Sequence, residues 1–105
     1  MTTHNEENFK NKNLKPLTVK EVLELKAKAV HLNPVVTIGN NMITEAVLKE
    51  IKINLVAHEL IKVKFLLNDR KLREDLIQEI ITTCDCYFIQ HIGKIAIFYK
   101  TKIKS

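Results

Sequence analysis

Between Leu60 and Leu67 the chain alternates: Ile61, Val63, Phe65 and Leu67 are apolar, and Lys62 and Lys64 between them are charged. A period of two belongs to a strand with one face on a core and the other free to meet solvent or a ligand. On both sides the period changes. Upstream, Ile43, Val47, Leu48, Ile51 and Leu55 recur at helical spacing around a segment running from Thr44 to Ala57. Downstream, Leu72, Leu76 and Ile80, flanked by Ile77 and Ile81, predict a helix capped by Asn68 or Asp69 and running to about Thr83. A strand entered and left through helices implies an α/β domain with at least some parallel pairing.

The remaining segments extend this frame. Thr18 to His31 reads as a helix, opened by a capping box in which Thr18 and Glu21 satisfy two otherwise free amides. Val22, Leu25, Ala29 and Leu32 form its buried stripe. Pro34 ends it, because the residue before a proline is pushed toward extended geometry. Val35 to Ile38 is a short β-branched strand whose lack of alternation suits a central position covered on both faces. Cys86 to Ile92 and Ile95 to Lys100 are two strands joined by Gly93-Lys94, where glycine in the first turn position suits a type II′ hairpin. The expected architecture is a two-layer α/β sandwich of order αβαβαββ around one mixed four-stranded sheet. Residues 17–101 form the domain, after a flexible tail at 1–16 and before a basic tail at 102–105.

With 105 residues, such a domain removes roughly two-thirds of its unfolded surface from water, so its core needs no disulfide or metal. Cys84 and Cys86 are one residue apart, lack a second ligand pair, and read as reduced thiols. None of His4, His31, His58 and His91 has metal spacing to another His or Cys. The sequence does not assign a face to His91. No nucleophile elbow or dinucleotide fingerprint occurs, and with Gly39 and Gly93 the only glycines a Gly-rich phosphate loop is excluded. The expectation is a protein without catalysis, cofactor, metal or small-molecule substrate. No apolar run is long enough for a bilayer and no apolar leader opens the chain, which points to the cytoplasm without membrane contact; a monomer is expected.

The net charge is +5, and from Lys94 to Ser105 there are four lysines and no carboxylate. Positive excess favours an anionic partner, nucleic acid before membrane. Aromatic residues are sparse, so contact with the sugar–phosphate backbone is a better expectation than stacking of many bases.

Several segments resemble the CRM domain (chloroplast RNA splicing and ribosome maturation), most closely its stand-alone bacterial YhbY-type form. They are Ala29-Val30-His31-Leu32-Asn33-Pro34-Val35-Val36-Thr37-Ile38-Gly39, Ile43-Thr44-Glu45-Ala46-Val47, His58-Glu59-Leu60-Ile61-Lys62-Val63-Lys64, Ile92-Gly93-Lys94 and Phe98-Tyr99-Lys100. They occur in the family's order and span Leu17 to Lys100. The resemblance implies a fold similar to the C-terminal domain of the third bacterial initiation factor. It also implies RNA binding, and for single-domain bacterial members association with precursors of the large (50S) ribosomal subunit.

The family's contact motif is a Gly-x-x-Gly loop after the first strand. There glycines admit a phosphate to the backbone and the next helix offers its free amides. The matching loop is Gly39-Asn40-Asn41-Met42, with Asn40 where the family usually has lysine and Met42 in place of the second glycine. Thr44 reads as a helix cap. Lys62 and Lys64 match the family's basic strand. Further candidate RNA contacts are Lys49, Lys94 at the hairpin tip, Arg70 and Lys71 at the start of the third helix, and Lys100. Some have a solvated alternative: Lys62 and Lys64 on an open strand face, Arg70 and Lys71 in surface ion pairs with Glu74 and Asp75, and Lys100 in a solvated tail. Two other readings compete. One is a protein–protein adaptor in ribosome assembly, which the altered loop favours. The other is an architectural DNA-binding protein on a similar fold.

Overall fold

The computed structural model describes residues 14–39 and 43–101. The expected tails, apart from 14–16, and Asn40, Asn41 and Met42 of the loop lie outside them.

Three helices and four strands follow in the expected order: α1 (Val19–Ala29), β1 (Pro34–Ile38), α2 (Glu45–His58), β2 (Leu60–Phe65), α3 (Arg70–Cys84), β3 (Tyr87–Ile92) and β4 (Ile95–Tyr99). Each helix starts on the residue its local chemistry selects. Thr18 caps α1 in a two-way capping box with Glu21, at 2.8 and 3.1 Å. Thr44 Oγ1 accepts from the Val47 amide at 3.2 Å, and Asp69 Oδ1 from the Leu72 amide at 3.3 Å. Such side chains satisfy amides that helix geometry leaves without partners.

The sheet is mixed, in the order β1-β2-β4-β3. β1 runs parallel to β2, with α2 as the crossover, and β4 lies antiparallel between β2 and β3. The expectation of a central β1 is corrected: β1 is an edge strand. Val36 and Ile38 face the core while Val35 and Thr37 are exposed, so its apolar sequence is covered on one face only. Pro34, lacking an amide hydrogen, fits the first position of an edge strand.

α2 and α3 cover one sheet face and enclose the larger core, around Phe65, Phe98, Ile51, Leu55, Ile77, Ile80 and Ile81. α1 packs on the opposite face, where Leu25 and Ala29 meet Leu60, Ile89 and Ile97. It covers that face only in part, and Thr37 and Lys64 remain exposed beyond it. No described helix is long and apolar enough to cross a membrane.

Candidate nucleic-acid interface

The topology gathers the chain's polar turns at one end of the sheet. β1 and β2 both finish there, and the Leu66 amide donates to the Ile38 carbonyl at 2.8 Å. The β3–β4 turn reaches the same end, with the Phe65 amide donating to the Lys94 carbonyl at 2.8 Å. Gly93 takes φ +57° and Lys94 is not among the described residues of positive φ, as a type II′ turn requires. Gly39 leaves β1 at this end, and α2 and α3 begin near it. Two helix N-termini, each with free amides and a partial positive charge, therefore adjoin a glycine-started loop and a lysine-tipped hairpin.

Of the residues singled out from the sequence, Gly39, Lys64, Lys94, Arg70 and Lys71 meet at this end, with Lys49 exposed where α2 enters its second turn. A Cβ added at Gly39 would meet nothing within 4 Å, so the backbone there is open to approach. Lys62 lies one step down β2 on the same face as Lys64. It is half-buried beside α1, whereas Lys64 is exposed. Arg70 and Lys71 are held by Glu74 and Asp75, both at 3.1 Å, in exposed i,i+4 pairs. These pairs offset the unfavourable placement of cations at a helix N-terminus and contribute little to stability.

Lys100 lies elsewhere. Its amide donates to the Glu59 carbonyl at 2.9 Å, and its ammonium to the Cys84 carbonyl at 3.1 Å, at the far end of the molecule. A cation on the last carbonyls of α3 complements that helix's negative end.

Arg73 stands beside Arg70 and Lys71 in the sequence, yet its side chain is buried. Nη1 donates to the Leu67 carbonyl at 2.7 Å and Nε to His91 Nε2 at 3.3 Å. It thereby ties the β2–α3 connection to β3, through two neutral acceptors. His91 accepts on Nε2, which assigns its proton to Nδ1. That atom is buried without a hydrogen bond of good geometry. Burial, then the charges of Arg73 and Arg70, hold the imidazole below its ordinary pKa; the Gly93 backbone and Glu74 act more weakly in the opposite sense.

One residue near the interface has no mark in the sequence. After Phe88 the β3–β4 register slips, and Gln90 pairs with Ile97 on the α1 face. No period-two reading places a bulge, so the sequence carries no signal for it.

Cys84 and Cys86 are free and buried, and desolvation raises both thiol pKa values. Among the described residues no three metal-ligating side chains cluster.

The CRS1/YhbY (CRM) domain model matches residues 17–100. An RNA-binding protein of Haemophilus influenzae is 43% identical over 84 residues, covering 80% of this chain and 85% of that protein. A protein of Pseudomonas aeruginosa, named a probable RNA-binding protein, is 38% identical over 88 residues, covering 84% of this chain and 85% of its own length. The solution structure of a hypothetical protein from Staphylococcus aureus superposes with a TM-score of 0.74 at 28% identity, covering 85% of this chain and 93% of that one. Matched along nearly all of its folded length in sequence and in fold, this chain belongs to the CRS1/YhbY (CRM) domain family.

Proposed function

We propose that this protein binds RNA through the end of the sheet that carries Gly39, Lys64 and Lys94, and that its target is ribosomal RNA in precursors of the large ribosomal subunit. The observation that carries the reading is the convergence there of two helix N-termini, a glycine-started loop and a lysine-tipped hairpin. All of these suit phosphate oxygens. Lys62 and Lys64 extend the cationic surface along β2, and relatives that match most of the chain are named for RNA binding. The Gly39–Met42 loop would contribute backbone amides and asparagine side chains in place of a lysine. RNA contact requires no reacting group, so the site acts by position and charge, without catalysis.

Filter binding to precursor large-subunit RNA across a salt series tests this. Affinity falls steeply with salt, and replacing Lys62 and Lys64 with Ala lowers the logarithmic slope by about 1 for each phosphate left without its lysine. No binding in dilute buffer, or an unchanged slope in the double variant, refutes the assignment.

A second reading, docking on a protein of the assembling subunit, draws on Ile53 and Val56. These project from α2 with 57% and 65% of their surface exposed. Sedimentation of a lysate with and without nuclease separates the two, because an adaptor keeps its partner after RNA digestion.

A further inference from the structure

Beside the basic strand, the partial cover of the sheet by α1 leaves a groove of about 180 Å³. Ile95 and Ile97 form its floor, Ala29 and Val30 one wall, and Lys26, Lys62 and Gln90 its polar positions. The slip in β3 builds it. Ile89 is buried under α1, and strict alternation would send the next residue to the opposite face, yet Gln90 pairs with Ile97 on this one. Bulges recur where a strand must re-aim a side chain. The result is a half-buried amide whose donors and acceptor are engaged by no described residue. Lys62, also half-buried, has no carboxylate partner among the described residues, and no acidic residue lines the groove.

We propose that this groove is a subsite for one unpaired base of a single-stranded RNA segment. The base lies across Ile95 beneath Val30, the Gln90 amide hydrogen-bonds its edge, and Lys62 neutralises the adjoining phosphate. This deepens the RNA-binding reading above and rests on it. The occupant follows from chemistry. The cavity has room for a single flat heterocycle, and an amide presents both a donor and an acceptor to a base edge. The rim is cationic, and Lys64 pairs across the ladder with Ile95 of the groove floor. Sequence-reading of RNA targets unstacked bases of loops and single strands.

The test compares binding of the full chain to a twelve-nucleotide oligoadenylate and to a twelve-base-pair RNA duplex at one salt concentration. Two variants are used. Gln90→Leu removes the amide at similar volume. Val30→Trp roofs the groove from a position 71% exposed, where the fold does not depend on the side chain. Circular dichroism melts confirm that both fold. The wild type favours the single strand; each variant weakens that complex at least about fivefold and leaves duplex binding unchanged. Variants that bind the single strand like wild type, or lose both RNAs equally, overturn the subsite while RNA binding itself stands. Wild-type dimers disrupted by Val30→Trp would make the groove a contact between copies and overturn it as well. A wild type that binds neither RNA in dilute buffer removes the parent reading, and the subsite with it.

Discussion

Glu59 ends α2 with φ 67° and ψ −48°, a region that side-chain-bearing residues seldom enter. Its amide donates to Leu55 and its carbonyl accepts from Lys100, so the backbone, rather than the side chain, joins α2 to β2 and to the end of β4. Glycine keeps both bonds without the steric cost. Glu59→Gly is therefore expected to raise stability by about 1 kcal/mol in urea unfolding, and a lower midpoint would contradict the strain. His91 gives a pH dependence. Its folded pKa is depressed, so above the ordinary value of 6.5 both states are neutral and no penalty exists. As pH falls below 6.5 the unfolded chain takes up a proton that the native imidazole refuses, and stability declines until the folded pKa is passed. His91→Gln keeps an acceptor for Arg73, and its melting temperature is expected to fall less between pH 7 and pH 5 than that of the wild type. Parallel curves would show that another group governs the decline.

At the level of the elements, what the sequence made legible was local. Thr18 with Glu21, Thr44 and Asp69 each announce a helix start within four residues of chain, and the alternation in β2 names its own buried face. Thr44→Ala is expected to cost about 1 kcal/mol in a denaturant titration and to weaken RNA binding only through the fold. If RNA affinity fell with the folded fraction intact, Thr44 would be a ligand rather than a cap. What stayed hidden depended on partners far along the chain. The apolar run of β1 fits a doubly covered strand equally well until β4 is seen to occupy the interior and leave β1 at the edge. Arg73 looks like its neighbours Arg70 and Lys71 until Leu67 and His91 close around it. Lys100 looks like part of a basic tail until the end of α3 arrives beside it.

Across the whole molecule, charge divides between two ends with different duties. Lys64 and Lys94 crown the open end, whereas Lys100 is committed to the Cys84 carbonyl at the other. Lys100→Ala is expected to leave the salt slope of RNA binding unchanged while lowering the melting temperature; a flattened slope would bring that lysine into the RNA contact after all. Strand order carries a consequence of its own. β4, last in chain order among the described strands, is the one that both β2 and β3 require as neighbour. A chain made only as far as Ile92 holds β2 and β3 with no strand between them, so the sheet closes only once Ile95–Tyr99 is available to pair with both.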